Sequence, residues 1–123
     1  MTRDVVLFID DVRDPNQYCH FQDTIDLARN SKDAIQFLQY NRCIGYDTIY
    51  LDFDLGGDDT SMPVVMWLAE EAFYGHHFNV NDIYLISDNP VGREACRLIL
   101  ERWKYHITDS PAGTQLYLGR NHA

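Results

Sequence analysis

The chain has 123 residues, of which 46% are hydrophobic, and its formal net charge is −9. This length predicts a single domain over residues 1–123, with a core over 1–110 and a tail over 111–123. The acidity argues against general DNA binding, since phosphate backbones are bound by clustered Lys and Arg, but it permits a basic protein partner or a bound divalent cation.

The N-terminal residues lack the flanks and cleavage site of a signal peptide, and no apolar run approaches the roughly 20 residues that cross a bilayer. Three cysteines, Cys19, Cys43 and Cys96, are far apart and form no Cys-x-x-Cys pair, which argues against a zinc ribbon or a redox motif. We therefore expect a cytoplasmic protein with reduced thiols and no membrane association.

Short apolar runs alternate with helical patterns along the chain. The run Val5–Ile9 is continuous and rich in β-branched residues, as in a strand buried on both faces, whereas residues 24–28 alternate like an exposed edge strand. Further strands are predicted at 48–51, 83–86 and 105–108. Residues 12–22 contain Pro15 and no clear amphipathic period, which predicts a loop or a short distorted helix.

Three helices are predicted between these strands, at 32–41, 61–74 and 90–104. Asn30 or Ser31 can cap the first, while Pro63 and Pro90 lie in the first turns of the others, where a missing N–H costs nothing. In the third helix, the apolar residues with helical spacing are Val91, Ala95, Leu98 and Ile99. The tail after Ser110 is predicted to be a loop followed by a short extended piece.

This alternation predicts an α/β fold with right-handed crossovers, namely a flavodoxin-like, five-stranded parallel sheet of order 2-1-3-4-5 with helices on both faces. Ligands of such sheets bind beyond the carboxyl ends of the strands, near the point where the strand order reverses. Polar side chains in this chain follow three predicted strands: Asp10 and Asp11, then Asp52, then Ser87. They should converge in space.

Several carboxylates in one crevice repel one another unless a cation joins them or some of them hold protons. Mg²⁺ is the natural candidate because it prefers hard oxygen ligands, and Asp10, Asp11 and Asp52 are the predicted ligands. Asp52 could also attack a phosphoryl group and form an aspartyl-phosphate. The alternative for each aspartate is that it only caps a turn after its strand.

Other residues near this edge suit a phosphate. Ser87 could donate to a phosphoryl oxygen or cap the helix that starts near Pro90, although Asn89 is the better cap by position. The start of that helix, including Gly92, offers N–H groups of the kind that bind phosphate. Arg13 and Arg93 could contact an anionic ligand or be plain surface charges. The acidic loop 54–59 holds two glycines that allow positive φ.

The strand-end residues resemble those of response-regulator receiver domains. More closely, the segments 7–15 (LFIDDVRDP), 51–56 (LDFDLG) and 87–92 (SDNPVG) resemble the cyclic-phosphate-processing receiver family, whose motifs read roughly LDDxRxP, LDHDLG and HSxNPxG. That family is a receiver-derived group predicted to process cyclic phosphate ends, such as those of RNA. The resemblance implies a Mg²⁺-supported phosphoesterase site with Asp52, Asp11 and Asp54 as catalytic carboxylates and Ser87 and Asn89 beside the phosphate.

Three positions depart from the patterns that the resemblance implies. The family has histidines where this chain has Phe53 and Ile86, and ordinary receivers have a lysine where this chain has Ser110. Three hypotheses therefore stand: a metal-dependent phosphoesterase, a stand-alone phospho-accepting response regulator, and a non-enzymatic regulatory protein that binds a protein partner through its acidic surface. The last would also suit a small phage-encoded effector.

Overall fold

The parallel sheet forms in the predicted strand order, β2-β1-β3-β4-β5, in the computed structural model, which describes residues 4–109. The strands are β1 (Val5–Ile9), β2 (Thr24–Ala28), β3 (Tyr46–Leu51), β4 (Val80–Leu85) and β5 (Ile107–Asp109). The helices are α1 (Ser31–Tyr40), α2 (Met62–Phe73) and α3 (Pro90–Arg102), and a 3-10 helix occupies Pro15–Gln17. The flavodoxin-like fold and the short distorted helix before β2 are confirmed; the predicted tail and Ser110 lie outside the described residues.

The two faces of the sheet are covered differently. Alternate strand residues such as Leu7 and Ile9 pack against α1, α2 and α3 in the larger hydrophobic cluster. Val6 and Phe8 point to the other face, where a smaller cluster is closed by Tyr18 and Cys19, just after the 3-10 helix. Both faces are covered as predicted, but among the described residues the three α-helices lie on one side, and the β1–β2 connection covers the other.

Helix boundaries follow from local capping. The Asn30 side chain accepts a hydrogen bond from the Asp33 N–H at 2.8 Å, which supplies an acceptor for one of the first free amides of α1. Pro63 and Pro90 occupy first-turn positions as predicted. Within residues 4–109, no helix combines the length and the apolar character needed to span a membrane.

The buried side of α3 differs in part from the predicted one, since Ile99 packs against the larger cluster as expected but two other predicted residues do not. Val91 and Leu98 are 80% and 57% exposed, whereas the residues that the helix buries are Gly92, Cys96 and Leu100. These three recur every four residues and so lie on one helical face. The hydrophobic spacing alone was misleading here, because a glycine and a cysteine make the contacts that larger side chains were expected to make.

Hydrogen bonds align the carboxyl ends of the three central strands. The Asp10 N–H donates to the Ala28 carbonyl at 3.1 Å, the Asp52 N–H donates to the Ile9 carbonyl at 2.9 Å, and the Ile86 N–H donates to the Leu51 carbonyl at 3.1 Å. The residues that follow β1, β3 and β4 therefore share one edge of the sheet. This is the edge at which the predicted site residues were expected to meet.

The buried hydroxyl of Tyr105 provides a test of the packing between α2 and the end of α3. It donates to the Leu68 carbonyl at 2.8 Å and accepts from the Phe78 N–H at 3.1 Å. Tyr105→Phe should lower the free energy of unfolding by about 1–3 kcal/mol, because both backbone groups lose a buried partner. Tyr40→Phe, at a position that is 88% exposed, is the matched control. Equal stability of the two variants in urea denaturation would contradict the assignment.

Candidate functional site

Three carboxylates meet at the carboxyl edge of the sheet. Asp10, Asp11 and Asp52 each offer one oxygen, and these oxygens all lie within 4.8 Å of one another. Asp10 and Asp52 are 0% and 6% exposed, while Asp11 is partly exposed. The structure thus brings together the three residues predicted as metal ligands, and such a set of oxygen donors fits a hard divalent cation.

Arg13 places a positive charge inside this group. Its Nη1 lies 2.7 Å from Asp10 Oδ2 and 3.4 Å from Asp52 Oδ2, and its Nη2 lies 2.9 Å from Asp88 Oδ2. Burial acts to lower the pKa of Arg13, but the hydrogen bond and the charge of Asp10 raise this pKa overall. Arg13 was predicted near an anionic ligand; in the structure its guanidinium compensates the carboxylates themselves.

The loop that carries Asp10 and Arg13 is fixed through its backbone. Asp10 Oδ1 accepts hydrogen bonds from the N–H groups of Val12 and Arg13, both at 2.9 Å. Arg29 Nη1 donates to the carbonyls of Asp10 at 3.1 Å and of Arg13 at 2.8 Å. Sequence reasoning missed Arg29, although its place directly after β2, at the same edge of the sheet, was a usable signal.

Asp52 has an unusual environment for an aspartate. Burial raises its pKa most, and the charges of Asp10 and, less strongly, Asp11 raise it further. The charge of Arg13 and a hydrogen bond from Ser87 lower it, and the resulting pKa is about 6 instead of the ordinary 3.8. The Ser61 hydroxyl donates to the Asp52 backbone carbonyl. Asp52 can therefore exchange a proton near neutral pH, and a bound cation would favour its charged form.

The start of α3 is organised by its own capping bonds. Asn89 is the helix cap, as its position predicted: its Oδ1 accepts from the Gly92 N–H at 3.0 Å, and its own N–H donates to Ser87 Oγ at 3.0 Å. Arg93 Nη1 donates to the Ser87 carbonyl at 2.6 Å. Ser87 is buried beside Asp52, whereas the Gly92 N–H is engaged by the cap, so phosphate binding by Ser87, Asn89 and Gly92 stays a prediction.

Asp54 lies outside the group of three carboxylates. It is exposed, and its Oδ2 accepts from Asn89 Nδ2 at 3.2 Å. Its acidic loop folds back through a bridge between Asp54 and Thr60, and Gly56 and Gly57 have φ of 90° and 56°, as the predicted glycine roles require. Asp59 holds this loop to α1 by accepting hydrogen bonds from the Ser31 N–H and hydroxyl.

Hydrophobic residues occupy the two positions at which the resemblance expects histidine. Ile86 is fully buried in the smaller cluster, and Phe53 packs partly buried against the larger one. A Cβ built on Gly92 would lie 2.4 Å from two carbons of the Phe53 ring. Gly92 therefore has a packing role that the sequence analysis missed: its lack of a side chain lets α3 approach Phe53.

The close packing of Gly92 against Phe53 can be tested directly. Gly92→Ala should destabilise the fold by about 1–3 kcal/mol, because the new methyl group overlaps the ring and forces a shift. Val91→Ala, one residue earlier at an exposed position, is the control for substitution in the first turn. Adding Phe53→Leu to Gly92→Ala should recover part of the loss in thermal denaturation, and a purely additive effect of the two substitutions would contradict the contact.

The raised pKa of Asp52 predicts a pH dependence of stability without added metal. Between the ordinary value of 3.8 and about 6, the folded state binds more protons than the unfolded state, so this group adds stability as the pH falls. From about pH 7 to about pH 4, Asp52 should contribute an increase of about 1–3 kcal/mol in the free energy of unfolding. Asp52→Asn should remove this component in urea titrations with EDTA, and the exposed-loop control Asp58→Asn should retain it.

Comparison with known proteins places this geometry in a family. The family model described as the cyclic-phosphate processing receiver domain matches residues 5–102, from β1 to the end of α3. No curated protein matches the chain. The matched segment covers most of the chain and contains the three carboxylates together with Arg13, Ser87 and Asn89. The chain belongs to the cyclic-phosphate processing receiver domain family.

Proposed function

We propose that the protein binds Mg²⁺ and a phosphate ester at the carboxyl edge of its sheet and opens cyclic phosphate ends by hydrolysis. The observation that carries this proposal is the approach of the Asp10, Asp11 and Asp52 oxygens to within 4.8 Å of one another, inside the segment that matches the family. A divalent cation held by these oxygens would offset most of the negative charge of the three carboxylates and polarise a phosphoryl oxygen.

The surrounding residues suit an anionic substrate. The Ser87 hydroxyl, which donates to Asp52 in the structure, would turn to donate to a phosphoryl oxygen when substrate binds, and Asn89 lies on the same loop. The Arg13 guanidinium supplies a positive charge within reach of the group. These three side chains would orient the phosphorus toward attack.

Hydrolysis of a cyclic phosphate needs a water oxygen to attack phosphorus while one ribose P–O bond breaks. The water loses a proton to an acceptor, and the leaving oxygen takes one from solvent. Asp54 is the proposed acceptor, since it is exposed to water, stands outside the metal group and is oriented by Asn89. Asp11, the partly exposed member of the group, would share in positioning that water.

A second candidate follows from Phe53 and Ile86. Their packing into the core replaces the imidazoles expected in the family, which favours a protein that retains the site for binding and regulates a basic protein partner through its acidic surface. In the third candidate, a stand-alone phospho-acceptor, Asp52 itself attacks the phosphoryl group. The phosphoesterase and the phospho-acceptor need the metal, whereas the partner-binding candidate does not.

Turnover of a short RNA that ends in a 2′,3′-cyclic phosphate tests the proposal. Hydrolysis should require Mg²⁺, be abolished by Asp52→Asn and fall by about 100-fold or more in Asp54→Asn, because a positioned proton acceptor contributes a factor of that order. Asp58→Asn, in the same acidic loop, is the matched control and should keep full activity.

The other outcomes separate the candidates. Mg²⁺ and phosphate binding without hydrolysis would contradict the phosphoesterase. Binding of beryllofluoride together with Mg²⁺, lost in Asp52→Asn, would favour the phospho-acceptor. Absence of Mg²⁺ binding in calorimetry at millimolar concentration would reject both metal-dependent candidates.

A further inference from the structure

The guanidinium of Arg13 occupies the region in which a metal ion would have to bind. Its Nη1 contacts Oδ2 of Asp10 at 2.7 Å and approaches Oδ2 of Asp52 to 3.4 Å, and these residues are two of the three candidate ligands. Both carboxylates are buried, so solvent screens these interactions only weakly. A divalent cation joining the group would meet a full positive charge at contact distance.

We propose that Arg13 is the resident cation of the site, which a divalent metal must displace from Asp10 and Asp52 in order to bind. The inference rests on the metal site of the proposed function. It adds that Arg13 and the metal compete for Asp10 and Asp52, and that this competition sets the affinity of the site for the metal. A protein built this way can keep three close carboxylates in a stable fold without metal, because the guanidinium neutralises part of their charge. Its metal affinity is correspondingly lowered.

The backbone around Arg13 limits how the displacement can occur. The Arg13 N–H is held by Asp10 Oδ1, and its carbonyl is held by Arg29. The main chain is thus fixed on both sides of the residue, and the exchange is a movement of the side chain alone.

Asp88 provides the position to which the guanidinium can move. It already accepts from Nη2 at 2.9 Å, and its side chain is 70% exposed. Asp88 lies on the loop that also carries Ser87 and Asn89, where the phosphate is proposed to bind. The displaced guanidinium would remain paired with Asp88 and face that anion.

Calorimetric titration with Mg²⁺ alone tests the competition. Arg13→Gln should bind Mg²⁺ about tenfold or more tightly than the wild type, because the charge at contact distance is removed. Arg13→Lys keeps the charge and should stay close to the wild type. Arg102→Gln changes the net charge equally but lies roughly 18 Å along α3 from Pro90, beyond the screening length, and should leave the affinity unchanged.

Thermal denaturation gives a second readout that does not depend on activity. Added Mg²⁺ should raise the melting temperature more in Arg13→Gln than in the wild type, because the variant lacks its own cation. A purely structural role of Arg13 predicts the opposite response to the ion: Arg13→Gln would bind Mg²⁺ less well than the wild type, and added Mg²⁺ would raise its melting temperature less.

The outcomes distinguish this inference from the proposed function. Equal Mg²⁺ affinity of the wild type and Arg13→Gln would contradict the competition but would still support the metal site. Mg²⁺ binding by Arg13→Gln but not by the wild type would support the competition. The same result would contradict the proposed metal-dependent catalysis by the native protein. Absence of binding by both would overturn the two together.

Discussion

The mutual repulsion of Asp10, Asp11 and Asp52 is the constraint around which this edge of the molecule is organised. Their oxygens lie within 4.8 Å of one another at a largely buried position, where like charges are costly. Arg13 reduces that cost, and Arg29 in turn fixes the backbone carbonyls on either side of it. The two arginines therefore have different roles. Arg13 compensates the negative charge of the carboxylates, and Arg29 fixes the backbone of the loop that carries Arg13.

Hydrophobic side chains that pack into the core stand at the two positions where the resemblance implies histidine. Phe53 supports α3 through its contact with Gly92, and Ile86 fills the core on the opposite face of the sheet. The carboxylate side of the site is polar, and the raised pKa of Asp52 lets this group exchange a proton at about pH 6. Proton transfer in this chain would therefore depend on carboxylates rather than imidazoles, which ties any activity closely to the state of the acidic group.

The sheet and the convergence of the aspartates were predictable, because a continuous run such as Val5–Ile9 identifies a buried strand and parallel strands share their carboxyl edge. The first residues of the strands were harder to predict. For example, β4 begins at Val80, but its apolar run is interrupted by Asn81 and Asp82. Pairs such as Arg13 with Asp88, 75 positions apart, depend on loop geometry that no local pattern encodes. The packing of Gly92 against Phe53 could not be predicted either, because a glycine in a sequence does not indicate which residue will pack against it.

The β1–β2 connection serves two purposes in one stretch of chain. Its first residues carry Asp11 and Arg13, and its later residues place Tyr18 against Phe8 and Tyr50, with ring centroids 5.4 and 5.9 Å apart. A local opening of this segment would uncover the aromatic face of the sheet at the same moment as it dismantles the charged edge. Because one connection carries both regions, substitutions in the aromatic cluster should change the lifetime of the intact site.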